Sequence, residues 1–331
     1  MKTTILLDDL SVSEIRPDLH SSEYAELRRA EATGLVSNPN TQWTGRQLPT
    51  PNCVPESAFT SDSMQFHHCS HCGSIFAAPV PCQIDLDGLN ANGEASRFRT
   101  QHFDQQFSAR QRIKINAPIV RWIAQVCEEL NIRHPDFAYV GNDDTGAMDS
   151  ILDVLSPSAI TVIEQTNQML PPLSHPQLSF NEAPDNQYDI IVDLGSLEKV
   201  SAPNKRMKLW NRILNTGGVL MLTTNSASSI EYRLLGANAP SFIALDRLTL
   251  FSVSALQEAL DLAGFDLLEL STPGRVDVEL LKYGLEKQDA RGIEFWHHTL
   301  KHGTDFMIKD LQNFLQQHLL SSYMRVLARK R

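Results

Sequence analysis

Residues 188–224 read YDIIVDLGSLEKVSAPNKRMKLWNRILNTGGVLMLTT, and this stretch decides the fold class. YDIIVDLG (188–195) and GGVLMLTT (217–224) are short runs that are apolar nearly throughout. Between them Met207, Trp210 and Leu214 fall on one helix face. Strands apolar on both sides, joined through a helix, belong to a parallel sheet covered on both faces. The alternation continues in both directions. Upstream lie FAYVG (137–141), a helical stretch to Leu155, AITVIE (159–164) and LSFNE (178–182). Downstream, SVSALQEALDLAGF (252–265) reads as a helix closed by Gly264, followed by DLLELST (266–272) and a last strand, YMRVLARK (323–330). Ahead of the alternation, residues 107–131 read as a helix carrying Ile119, Ile123, Val126, Cys127 and Leu130 on one side, with Pro118 in its first turn. The expectation is a doubly wound, mostly parallel α/β sheet of the Rossmann-like kind.

Composition narrows the function. The chain has 331 residues, 42% of them hydrophobic, which is a globular rather than a disordered composition. Its formal charge of −10, from 29 Lys+Arg against 39 Asp+Glu, opposes non-specific binding to nucleic acid. The opening MKTTILLDDLSV is too short and too acidic for a signal-peptide core, and no apolar run is long enough to span a membrane. Five cysteines in a chain this long do not make a disulfide scaffold, so a reducing, cytoplasmic compartment is expected. Loop-rich sequence such as LPTPN and VPES sets off an N-terminal region, 1–93. Connecting helices (94–136) and the main α/β domain (137–331) follow, the latter with a helical excursion over 273–321.

Two groups of residues could carry chemistry. The turn after FAYVG reads Gly141-Asn142-Asp143-Asp144-Thr145-Gly146 and leads into a helix, which lets backbone N–H groups approach a ligand. Glu164 ends the next strand, where an acid accepts both hydroxyls of a ribose. Two aspartates in that loop repel a pyrophosphate and suit a ligand with a cationic centre. The alternative is a plain strand-to-helix turn with an Asp cap. The second group is His67-His68-Cys69-Ser70-His71-Cys72-Gly73. Two cysteines at this spacing before a glycine form one knuckle of a zinc ribbon, which is half a site. Either the ribbon is completed elsewhere or it has decayed to free thiols.

With these residues in view, the region from about 94 to 330 resembles class I S-adenosylmethionine-dependent methyltransferases, in a subgroup with an N-terminal zinc-ribbon-like segment (here 53–82). The matching stretches are EASRF with ARQRIKINAPIV, YDIIVDLGSLEKVSAP, LNTGGVLMLTTN, LFSVSALQEALDLAGFDLLELSTPGRVDVELL and LSSYMRVLARK. The resemblance implies S-adenosyl-L-methionine as cofactor, held by Gly141, Asn142, Asp143, Thr145 and Gly146, with Glu164 on the ribose, Asn181 at the adenine edge and Asp193 beside them. It also implies that DLLELST and YMRVLARK pair as neighbours, the last strand antiparallel. A second cysteine pair is expected upstream of the knuckle, where Cys53-Val54-Pro55-Glu56 stands. Zinc on Cys53, Cys69 and Cys72 would then take Glu56, His67, His68 or His71 as fourth ligand.

The chain departs from that pattern at several positions. Tyr139 stands in place of the first-strand acid, and GNDDTG keeps only its outer glycines. Where the subgroup has an acid and then Glu-His, this chain has Gly195, Glu198 and Lys199; a later Glu-His reads Asp246-Arg247. Two readings follow. In one the protein transfers a methyl group to a small metabolite, a sugar or sugar nucleotide, with Glu198 or Lys199 taking the acceptor's proton. In the other it is a non-catalytic relative that keeps the fold to bind a partner.

Overall fold

The structure, a computed structural model, describes residues 22–45, 48–104, 109–140, 147–155, 157–163, 178–180, 187–286 and 293–331. Its main sheet has seven strands: β6 (Asp136–Val140), β7 (Ala159–Ile163), β8 (Leu178–Phe180), β9 (Tyr188–Leu194), β10 (Leu214–Asn225), β12 (Phe265–Ser271) and β13 (Tyr323–Lys330). Their order across the sheet is β12-β13-β10-β9-β6-β7-β8. β10, β9, β6, β7 and β8 run parallel, while β13 lies antiparallel between β10 and β12. The expected doubly wound class and the antiparallel last strand are both present.

The central strands read as apolar because each side chain is taken up by one of two covered faces. Ile190 and Val192 face one core with Ile123, Val126, Cys127 and Ile151, from the helices Ala109–Glu129 and Ala147–Leu155. Ile191, between them, faces the other with Met207, Trp210, Leu256 and Leu260, from the helices Pro203–Ile213 and Val253–Leu262. The glycine pair opening the GGVLMLTT run has a steric reason. Gly217 has a φ of 77°, and a Cβ on Gly218 would lie 3.1 Å from the carbonyl oxygens of both Tyr188 and Asp189. The register of β10 on β9 shifts between Leu214 and Val219, across that pair.

Pro118 departs from expectation. It lies well inside the helix Ala109–Glu129, not in a first turn, and it removes one internal N–H donor there. The helix itself, described from Ala109 to Glu129, falls within the expected 107–131. Among the described residues no helix is long and apolar enough to cross a membrane.

A second, four-stranded sheet has the order β11-β4-β3-β2, built from β2 (Pro55–Ser61), β3 (Met64–Cys69), β4 (Ile75–Ala77) and β11 (Thr249–Leu250). Its edge strand β11 comes from a sequence position far beyond the rest. The helices Asp277–Leu285, Glu294–His302 and Asp305–Gln317 make up the excursion between β12 and β13. Their buried side chains Val278, Leu281, Leu300 and Leu315 share a core with Phe66, Tyr232 and Leu248. The excursion therefore covers the side of the molecule where β10 ends.

Candidate functional site

The carboxyl end of β9 sets the first site. Gly195, at φ 77°, turns the chain out of the strand, and its N–H donates to Thr223 O on β10 at 2.9 Å. Asp193 lies beneath this turn, wholly buried. Its carboxylate accepts from Ser196 N–H at 3.1 Å and from Trp210 Nε1–H at 3.3 Å. Burial pushes its carboxyl up to about 6. Both carboxylate oxygens of Asp193 accept from within the chain and fix the shape of the turn.

The turn presents Glu198 and Lys199 on a single 3₁₀ turn, Leu197–Lys199. Glu198 is buried. Thr224 Oγ1 donates to it at 2.5 Å and Asn225 Nδ2 at 2.7 Å, and Arg247 Nη1 lies 3.5 Å from its Oε1. Leu248 N–H donates to the Glu198 carbonyl at 2.8 Å. Asp246 is held from the N-terminal side. Arg28 reaches it through Nε at 3.2 Å and through a second, shorter bond from Nη2, and Tyr24 Oη–H donates at 3.1 Å. Arg28 also meets Glu31 at 2.8 Å. Burial works against ionising Asp246, but Arg28, with Lys199 and Arg247, holds its carboxyl far below the usual range.

Lys199 differs from its neighbours. Among the described residues its Nζ has no hydrogen-bond partner. Burial lowers its pKa, and Arg99 and Arg247 lower it further, against the opposing pull of Asp246 and Glu198. Desolvation lowers the cost of releasing the amine's proton, while Asp246 and Glu198 oppose that release.

The two positions where the subgroup carries histidine thus hold Lys199 and Arg247, and Asp246 and Arg247 are both tied into ion pairs. Sequence reasoning missed Arg28, Tyr24, Thr224 and Asn225. The last two could have been found from their place at the carboxyl end of a parallel strand, where ligands bind in such sheets. Arg28 meets Asp246 across 218 residues, and nothing local in the sequence signals it.

The expected cofactor contacts Gly141, Asn142, Asp143, Thr145, Gly146, Glu164 and Asn181 lie outside the described residues. The described residues just ahead of the first and of Glu164, Val140 and Ile163, are register partners on adjacent parallel strands.

The cysteines form the second site. The sulfurs of Cys53, Cys69 and Cys72 lie within 4.8 Å of one another, and all five cysteines are free thiols. Cys69 Sγ accepts backbone N–H groups from Val54 at 3.1 Å and Cys72 at 3.4 Å. Burial alone would raise the Cys69 thiol, yet the Cys72 N–H and the Cys53 thiol outweigh it and bring it down to about 7. Burial raises Cys53 and Cys72 instead, with neighbouring sulfurs adding to the shift. Three sulfurs at this range cannot all ionise unless a cation joins them, and N–H donors aimed at one sulfur suit a thiolate. The donor set therefore fits a thiophilic ion such as Zn²⁺. Among the described residues no carboxylate or imidazole joins the three. Glu56, His68 and His71 are exposed, and the His67 ring stacks on Phe76 at 5.8 Å.

The strand order, with one antiparallel strand beside an edge strand in an otherwise parallel sheet, is that of the class I methyltransferase fold. Residues 125–270 match the family described as a methyltransferase domain. No curated protein matches the chain. Among solved structures, the chain is similar to an S-adenosylmethionine-dependent methyltransferase from Mesorhizobium loti, at 13% identity and a TM-score of 0.41, over 64% of this chain and 98% of that one. It is also similar to the plantazolicin methyltransferase BamL, at 11% identity and a TM-score of 0.44, over 75% and 95% of the two chains. A third, the cyclase SpnF, shows 19% identity and a TM-score of 0.40, over 64% and 80%.

Proposed function

We propose that this protein transfers a methyl group from S-adenosyl-L-methionine to a small-molecule acceptor, a sugar or sugar nucleotide, with Lys199 as the proton acceptor. The observation that carries the reading is the contrast on one turn. Glu198 already accepts from Thr224 and Asn225 beside Arg247, whereas Lys199 has no hydrogen-bond partner among the described residues.

The cofactor supplies an electrophilic methyl on a sulfonium. The loop Gly141–Gly146 would hold its methionine part, Glu164 its ribose and Asn181 its adenine edge. Asp193 fixes the turn from which Glu198 and Lys199 project. Glu198, held in place by Thr224 and Asn225, orients an acceptor hydroxyl or amine. In its neutral form, which burial favours, Lys199 would receive the proton that the acceptor loses as its lone pair takes the methyl. Most of the acceleration comes from holding the two reactants in line. Zinc on Cys53, Cys69 and Cys72 would be structural in this scheme. The division into 1–93, 94–136 and 137–331 belongs to the same reading.

Label transfer from S-adenosylmethionine to a panel of sugar nucleotides tests it. Lys199→Met is expected to lower transfer by about 10²-fold or more, the usual worth of a general base. Its affinity for S-adenosylhomocysteine should stay that of the parent. A Lys199→Met variant as fast as the parent would remove Lys199 from the reaction.

One observation favours a second reading. Arg247 neutralises Glu198, and Asp246 is tied to Arg28, so two acidic groups at the acceptor end are engaged in ion pairs. A non-catalytic relative that uses the fold to bind a partner would look the same there. In that case no panel member is methylated.

A further inference from the structure

We infer that the cysteine site sets the position of the 246–252 segment, so that metal binding at Cys53, Cys69 and Cys72 holds Arg247 and Glu198 in register. This rests on the metal reading of the cysteines and not on methyl transfer.

Two routes of hydrogen bonds join the sites. The first runs through main chain. Cys69 N–H donates to Ser74 O at 2.9 Å inside the knuckle, and β4 begins at the next residue. β4 pairs with β11 through Ile75↔Leu250 and Phe76↔Thr249. Ala77 N–H donates to Leu248 O at 2.8 Å, and Leu248 N–H donates to Glu198 O at 2.8 Å. Leu248 is thus held on one side by the cysteine module and on the other by the turn that carries Glu198 and Lys199. The second route runs through a side chain. Ser74 Oγ stands 3.2 Å from Cys72 Sγ and accepts from Ser252 N–H at 3.0 Å. Ser252 in turn caps the helix Val253–Leu262, its Oγ accepting from Ala255 N–H at 3.1 Å.

β11 has two residues, too few to define a strand unaided, so its geometry comes from what it pairs with. Of β4, Ile75 and Ala77 join the larger core with Phe66, Leu248 and Leu250, while Phe76 faces a small core around the cysteines. The cluster there consists of Cys53, Cys69, Phe76 and Ala78, with Leu48 and Cys72 against it, so half of its buried members are sulfur donors. A cation held by all three sulfurs would tie the segment at Cys53 to the Cys69–Cys72 knuckle, and without it that tie is lost. Any shift of β4 passes to Leu248 and then to Arg247, one residue away and 3.5 Å from Glu198.

Hydrogen exchange of the full chain, zinc-loaded and chelator-stripped, reads this directly, with metal content measured on both samples. On stripping, amides in 69–78 and 244–253 are expected to exchange at least about tenfold faster, the behaviour of a locally opened unit. Those of β10 and β13 should keep their protection. Zinc-loaded protein whose 244–253 peptides are equally protected after stripping would overturn the coupling while leaving the metal site intact. Protein that takes up no zinc would overturn both. Ser74→Ala covers the case in which stripped protein unfolds. It keeps all three cysteines, so zinc should remain near one per chain while the Ser252 amide exchanges faster. Unchanged exchange at Ser252 in that variant would also overturn the proposal.

Discussion

The cysteine site and the turn at the end of β9 are both buried clusters of ionisable groups, built on opposite plans. At the cysteines, like groups converge: three sulfurs with no basic side chain among the ligating atoms, stabilised by N–H donors on Cys69. At the turn, unlike groups alternate, Arg28 with Asp246 and Arg247 with Glu198. In the proposed reading a cation completes the first arrangement. The second is neutralised within the chain and leaves one amine, Lys199, over. Burial has the same sign of cost in both places, and what differs is where the compensating charge comes from.

The largest effect should come from breaking the first plan. Cys69→Ser with Cys72→Ser is expected to take zinc from about one per chain to none, the change expected of a structural site that binds through its thiolates. Metal analysis of protein purified without chelators checks it. A Cys53→Ser variant that keeps full occupancy would show that Cys53 is not a ligand.

Breaking the second plan comes next. Arg28→Ala leaves the Asp246 carboxylate buried beside Tyr24 without its main counter-charge, which should cost about 3–5 kcal/mol in urea unfolding. A loss within 0.5 kcal/mol, as at a surface pair, would mean that solvent and not Arg28 compensates Asp246.

Asp193 sharpens the comparison through pH. Its carboxyl is raised to about 6 in the folded chain. The unfolded group ionises near 4, so between these values the unfolded state has already released a proton that the folded state keeps. Stability from this group is full below pH 4 and declines as pH rises through 6, by up to about 3 kcal/mol. Asp246 acts in the opposite sense: its contribution is present above pH 4 and lost on further acidification. In Asp193→Asn the decline between pH 4 and 6 should disappear. An unaltered slope in that variant would assign the decline to another group.

The smallest effect concerns Glu164. Glu164→Gln should weaken S-adenosylhomocysteine binding by about tenfold, since a charge-assisted acceptor becomes a neutral one. Equal affinity in a folded variant would take Glu164 out of the site.

What the sequence revealed follows the range of the interactions. The strand–helix–strand of 188–224 was legible because its signal is periodic and local, and YMRVLARK was placed to the residue. The Cys69–Cys72 knuckle was legible from spacing, and Cys53 from its distance upstream. That no carboxylate or imidazole among the described residues joins them was not, since it depends on where β2 leaves Glu56. The pairing of Asp193 with Trp210 was not legible, because position along a strand does not say which face its side chain takes. The Arg28–Asp246 pair and the two-residue β11 were out of reach, one joining distant segments and the other too short to carry a pattern. Arg325, near the end of the chain, is buried. Its guanidinium lies 4.6 Å over the Trp122 ring and bonds Glu269 at 3.0 Å, an arrangement set by β12 and the helix Ala109–Glu129 together.

The claim that this fold still serves methyl transfer is tested most directly by calorimetric titration of the full chain with S-adenosylmethionine and S-adenosylhomocysteine. The account expects a single site per chain with a dissociation constant on the order of micromolar, or about −8 kcal/mol. No heat and no saturation up to millimolar ligand, in protein shown to be folded, would contradict it.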